Sequence, residues 1–211
     1  AIRNANDAIS LSQTAEGALG KVGDMLQRMR ELAVQSANAT NGTSDRANLN
    51  AEYQALGTEV VRTLANTKFN GLAILGANAG TLSFQVGANA GETVDVVTTR
   101  LDTAVSITGA TGGAITDATL AGTAMTNIDT ALTAVNGERA LYGATQNRFD
   151  AIIGTLQVAA ENQAAAKSRI TDADFAAETA NLSRAQILQQ AGSAMVAQAN
   201  QLPQAVLALL R

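Results

Sequence analysis

From about Thr123 the chain carries one unbroken pattern: Met125, Ile128, Leu132, Val135, Arg139, Tyr142, Gln146, Phe149, Ile153, Leu156, Ala160 and Gln163 follow each other at alternating steps of three and four. A seam with that spacing belongs to a helix lying along other helices, as in a coiled coil. At the rise of an α-helix it predicts a rod of roughly 60 Å. Gly137, Gly143 and Gly154 interrupt the pattern without ending it. Any fold for this chain has to supply partners along that length.

The N-terminal part offers two. Leu19, Val22, Leu26, Met29 and Leu32 or Ala33 form a second stripe, predicting a helix from about Ala5 to Ala37. Gly17, Gly20 and Gly23 weaken it by up to ~1 kcal/mol each relative to Ala, a cost that close backbone approach would offset. Asn38 to Thr43 is a turn by its Asn and Gly content. Ser44 then reads as an N-cap, with Asp45 in the first turn. Leu49, Tyr53, Leu56, Val60 and Leu64 give a helix to about Asn66, antiparallel to the first because the connection is short.

The period then changes. Phe69-Asn70-Gly71-Leu72 reads as a turn, and Gly76 to Gly80 as loop. Thr81 to Val86 and Thr93 to Val96 alternate at period two around Gly87 to Gly91, which predicts a β-hairpin. Asp102 to Gly122 is rich in Thr, Gly and Ala without periodicity, which predicts a surface loop or small irregular cap. Thr171 to Asp174 offers an N-cap, so a joint is expected near Ile170. A last helix is expected from about Phe175 to Gln201. Leu182, Ile187, Leu188, Met195, Val196 and Leu202 spread over a wide face, and the apolar tail contains Leu209 and Leu210. Nothing in the chain evidently covers that face, which points to assembly. The expectation is a mainly α fold, an elongated antiparallel helical rod with a small β-hairpin region and a separate C-terminal helix.

Composition removes most chemistries. The 211 residues contain no Cys, no His and no Trp. Disulfides, thiolate zinc sites, the commonest general base and the usual transition-metal ligand are therefore unavailable. A net charge of −4 argues against a nucleic-acid partner. No run reaches the roughly 18 apolar residues of a membrane span. Asp172, Asp174 and Glu178 could be a carboxylate cluster, but they read better as a charged helix N-terminus. Gly109 to Gly113 lacks the Lys-Ser/Thr pair of a phosphate loop and the strand-to-helix frame of a dinucleotide site, and reads as plain loop. Arg28, Arg30 and Glu31 share one side of the first helix and read as a solvated face with intrahelical pairs. Three Asn-X-Ser/Thr triplets, at Asn38, Asn41 and Asn181, are short enough to arise by chance. No cofactor, metal or catalytic residue is expected, and the chain is not expected to be an enzyme.

Specific strings then identify a resemblance. Arg3 to Asp7, Thr14 to Leu19, Leu26 to Asn38, Phe69 to Gly71, Phe84 to Asn89, Ser183 to Gly192 and the ending from Gln198 to Arg211 resemble bacterial flagellin. The match covers nearly everything except about Thr103 to Gly122. The resemblance implies a subunit of the flagellar filament, exported unfolded by the type III route and polymerised beneath a filament cap protein. It implies domain D1 from residues 1–102 and 123–170, a short variable outer loop at 103–122 in place of D2, and the C-terminal half of D0 at 171–211. The N-terminal partner of D0 is expected to be missing.

The resemblance also implies partners. Arg28, Leu32 and Glu52 match positions by which similar flagellins contact Toll-like receptor 5, with Met29 replacing a common Val. The segment from about Asp172, including Leu182, Ile187, Leu188, Met195, Val196, Leu202, Leu209 and Leu210, matches the part wrapped around the export chaperone FliS and packed in assembly. The alternative reading is a flagellin homologue serving as a cell-surface binding protein, for example for polysaccharide. A further alternative, an outer-region protease, has no room in some twenty small residues without His or Cys.

Overall fold

A computed structural model describes residues 1–172 and 174–209, with side-chain surroundings as far as residue 200. The chain divides into two units, residues 1–158 and 159–211. In the first unit, helices α1 (Ile2–Ala37) and α2 (Thr43–Asn66) run against each other. Their stripes face inward: Leu19, Val22, Leu26, Met29, Leu32 and Ala33 are buried, as are Tyr53, Val60 and Leu64. The turn between them is tied by Arg46, whose guanidinium donates to the carbonyls of Ser36 (2.9 Å) and Asn38 (3.1 Å) at the end of α1. This supplies acceptors at a helix C-terminus with a cation, where the dipole favours one. Helix α2 begins one residue before the expected Ser44 cap. Gly42 is the N-cap residue, and the Asp45 carboxylate accepts its N–H at 3.1 Å.

Two antiparallel strand pairs follow. The second, β3 (Thr81–Gln85) with β4 (Thr93–Val97), is the hairpin expected from the alternation, in register from Thr81↔Val97 to Gln85↔Thr93. Its inward side places Val94 and Val96 in the core. The first pair, β1 (Lys68–Phe69) with β2 (Leu72–Ala73), occupies what the sequence suggests is only a turn. Asn70 and Gly71 have φ of 48° and 82°, the doubly left-handed geometry of a two-residue hairpin turn. The pair is too short to show a period, and it delivers Ala73, Ile74 and Leu75 into the core.

Of the two expectations for Asp102 to Gly122, the surface loop fails and a small cap is nearer: the segment contains helix α3 (Val105–Thr111), Ile107, Ala110 and Ile115 are buried, and so is Leu101 just before it. Side chains of α1 and α2 hold its backbone. Tyr53 Oη donates to the Ala110 carbonyl at 2.5 Å, Asn50 Oδ1 accepts Ile115 N–H at 2.9 Å, Gln54 donates to Gly113 O, and Ser36 donates to Ile115 O. Thr and Gly disguise α3 locally, and tertiary hydrogen bonding overrides their preference.

Helix α4 (Ala118–Thr171) starts five residues earlier than its apolar stripe suggests. Asp117 caps it, accepting Leu120 N–H at 2.8 Å. Within the first unit, Ile128, Val135, Tyr142 and Phe149 are buried with Ala121, Ala124 and Ala131. The Phe149 ring meets Phe84 of β3 edge to face, with centroids 6.0 Å apart. Among the described residues the glycines at 17, 20 and 23 serve no close approach, since a Cβ there would meet nothing within 4 Å. Gly57 does: a Cβ would lie 2.9 Å from the Thr111 carbonyl oxygen of α3.

The second unit contains the end of α4 and helix α5 (Phe175–Leu209). The joint falls where expected. Asp174 Oδ1 accepts the N–H groups of Ala176 (3.0 Å) and Ala177 (3.2 Å), and Glu178 lies in the first turn.

Candidate functional site

Helix α1 turns one side to the core and the other to solvent, so consecutive residues have opposite fates. Arg28 lies on the outer side, half exposed. Its Nη1 bonds Glu31 Oε2 at 2.9 Å, one turn along α1, and its Nε reaches Glu52 Oε1 of α2 at 3.0 Å. The Glu31 hydrogen bond, then that to Glu52, raises the Arg28 pKa further and keeps the charge permanent. Arg30 Nε pairs with Asp129 of α4 at 2.7 Å, and that hydrogen bond raises its pKa likewise. The intrahelical pairing expected for Arg28 and Glu31 is present, but both arginines also bridge to other helices.

The structure therefore brings Arg28 and Glu52 together at the surface. Leu32 does not join them. It is 1% exposed and belongs to the core. The apolar side chain that this outer face does present is Val34, 50% exposed, beside Gln27, Arg30, Glu31 and Gln35 around a shallow depression. Val34 falls outside the stripe of α1, which is the signal that could have placed it outward. Asp129 gave no such signal, because its partner is distant in sequence.

Lower on the same helix, Glu16 joins α1 to α4. Gln146 Nε2 donates to it at 3.1 Å, and Arg139 approaches at 3.7 Å. Nearby, the buried oxygens Tyr142 Oη and Glu138 Oε2 have no hydrogen-bond partner. Burial, helped by the Glu138 charge, pushes the Tyr142 phenol pKa well above its ordinary value. A neutral phenol is thus maintained there at any ordinary pH.

In the second unit the feature is apolar surface. On α5, Phe175 is 83% exposed, Leu182 59%, Ile187 65%, Leu188 65%, Met195 67% and Val196 61%. Every described side chain from Phe175 to Asn200 is exposed. The expected Leu202 and Leu209 lie in α5, but their side chains, like Leu210, fall outside the described residues. The acidic residues ahead of the helix do not converge. Asp172 accepts Ser168 Oγ at 2.5 Å, whereas Asp174 caps α5. Among the described residues no group of acidic side chains could hold a metal ion, and no helix is long and apolar enough to cross a membrane.

Two parts of the chain match known proteins of one family. Residues 1–79 match the bacterial flagellin N-terminal helical region, and residues 125–210 match the bacterial flagellin C-terminal helical region. Flagellin of Halalkalibacterium halodurans is 49% identical over all of this chain and 78% of its own length. Flagellin FlaB2 of Treponema pallidum is 39% identical over 99% of this chain and 78% of its own. The crystal structure of Bacillus cereus flagellin aligns with a TM-score of 0.65 at 34% identity, covering 79% of this chain and 95% of that one. The unmatched stretch between the two regions, residues 80–124, contains β3, β4 and α3. Two matched regions that together span most of the chain, with a relative 49% identical over its whole length, show that the chain belongs to the bacterial flagellin family, whose members are structural subunits of the flagellar filament.

Proposed function

We propose that this subunit travels unfolded through the type III export route, escorted by the chaperone FliS on the segment from about Asp172. It is then placed beneath the filament cap protein and polymerises outside the cell. The apolar face of α5 carries this reading. Six large apolar side chains between Phe175 and Val196 are each more than half exposed. So much exposed apolar surface on a chain meant to stay alone invites aggregation. On a filament subunit it is the surface that neighbours cover. The division into domain D1 (residues 1–102 and 123–170), a short outer segment at 103–122 and the C-terminal part of D0 (171–211) belongs to the same proposal. The absence of cysteine suits export, because no disulfide can lock the chain before passage. The experiment is complementation of a flagellin-deficient strain with a full-length protein carrying Leu188→Asp and Met195→Asp. Loss of filaments is expected, whether through failed export or through secreted subunits that do not polymerise, and normal filaments would overturn the reading.

The same proposal includes recognition by Toll-like receptor 5 through Arg28 and Glu52. Their bond of 3.0 Å presents a fixed, half-exposed charged pair on the face shared by α1 and α2. Leu32 contributes from beneath, by holding α1 in place. Arg28→Ala is expected to weaken receptor binding with the helical spectrum unchanged, and Leu32→Ala to act through lost stability. An unchanged Kd for both Arg28→Ala and Glu52→Ala would remove the receptor from the account.

A further inference from the structure

Three Asn-Gly pairs occur in the chain, at Asn41-Gly42, Asn70-Gly71 and Asn136-Gly137. This dipeptide is chemically labile. The backbone nitrogen of the glycine, unhindered by a side chain, can attack the asparagine carboxamide carbon. The fold treats the three pairs differently.

At Asn41 both reacting groups are engaged. Its Nδ2 donates to the Gln35 carbonyl, and the Gly42 N–H donates to Asp45 Oδ2 at 3.1 Å. Asn136 lies inside α4, where the Gly137 N–H belongs to the helix ladder and helical torsions hold it away from the preceding side chain. At Asn70 neither restraint exists. Asn70 and Gly71 form an exposed turn with φ of 48° and 82°. Among the described residues no hydrogen bond engages the Asn70 carboxamide. The strands that the turn joins are two residues each, so rotating Asn70 out of its left-handed well disrupts little.

We infer that Asn70 is a site of spontaneous deamidation in the folded subunit. The Gly71 nitrogen gives its proton to hydroxide and bonds to Asn70 Cγ. The Cγ–Nδ2 bond breaks, and the nitrogen leaves as ammonia with a proton from water. Water then opens the cyclic imide at either carbonyl, leaving aspartate or isoaspartate at position 70. Each event adds one negative charge at the turn. The isoaspartate product also adds a backbone atom to a turn whose register, Phe69↔Leu72, depends on having two residues. Because Ala73, Ile74 and Leu75 enter the core directly after the turn, the change reaches the interior.

The test is incubation of the whole chain at mildly alkaline pH, with peptide mapping that separates asparagine, aspartate and isoaspartate at the three positions. The same incubation is repeated in concentrated denaturant. In the folded protein, conversion at Asn70 should exceed that at Asn41 and Asn136 by about tenfold or more, since protected sites react only through local opening. In denaturant the three should converge to within about twofold, as local opening no longer distinguishes them. Conversion at Asn41 or Asn136 matching that at Asn70 in the folded chain overturns the inference. So does a rate at Asn70 reduced by folding as strongly as theirs.

Discussion

Alanine at two kinds of helical glycine should move stability in opposite directions. Gly17, Gly20 and Gly23 lie within α1, and a Cβ at any of them meets nothing within 4 Å. Replacing each with alanine removes only the conformational freedom that glycine has in the unfolded chain, worth ~0.8–1 kcal/mol per site. The three share no partner, so they should add to roughly 2–3 kcal/mol. Gly57 is equally helical but faces α3. An added Cβ would sit 2.9 Å from Thr111 O and 3.3 Å from Thr111 Cα, both backbone atoms that cannot swing aside. Overpacking of this kind costs ~1–3 kcal/mol, against the same gain of about 1. Gly57→Ala should therefore fall below the natural protein, and below Gly23→Ala by roughly 1–3 kcal/mol. Urea unfolding followed by helical ellipticity reads both, as shifts in midpoint at constant slope. A Gly57→Ala protein as stable as Gly23→Ala would refute the packing of α3 on α2. A destabilised Gly23→Ala would refute the open surface at α1.

Other expectations follow from the same contacts. Phe149→Ala should cost ~3–5 kcal/mol and speed amide exchange in β3, because the ring is fully buried and supports Phe84. Tyr53→Phe should cost ~1–2 kcal/mol in a urea titration by leaving the Ala110 carbonyl unpaired. Burial also pushes the Tyr53 phenol up from 10.0 to about 12. Folding therefore favours its protonated form, a contribution complete below pH 10 and lost as pH rises toward about 12, which phenolate absorbance should follow. Arg30→Ala should leave the urea midpoint nearly unchanged, since the pair with Asp129 is half exposed and screened by solvent. Amides of α5 between Phe175 and Asn200 should exchange faster than those of α1 in the free subunit, and become protected in the filament. Equal protection in both states would contradict coverage of that face by neighbours.

What could be read in the sequence is where large apolar side chains recur. Leu19, Val22, Leu26 and Met29 announced α1, and Ile128, Val135, Tyr142 and Phe149 announced α4, because a stripe of such residues has few other uses. Ala121, Ala124 and Ala131 are as deeply buried but carry no signal, since alanine is common on any helix face. Helix α3 was hidden because its apolar residues Ile107, Ala110 and Ile115 are few. What secures it comes from Tyr53, Asn50, Gln54 and Ser36, far away in sequence. The outer face was half legible. Arg28 and Glu52 do meet, which spacing could not show because they lie on different helices, whereas the stripe of α1 already set Leu32 inward and left Val34 outside. The exposed apolar positions of α5 stood out because too wide a face is apolar for one neighbour to cover.

The clamp on residues 110–115 has a consequence for how such chains can change. Leu101 is fixed on one side, its N–H bonded to Leu75 O at 2.9 Å, and Ile115 on the other by Asn50. Between Leu101 and α3 lies Thr103, exposed and without a role in the core. Chain added there lengthens a loop whose ends are already pinned, and closure entropy grows only slowly with length. A few residues inserted at Thr103 should therefore leave the urea midpoint of the helices beneath nearly unchanged, because the bonds at Leu101 and Ile115 lie outside the lengthened stretch.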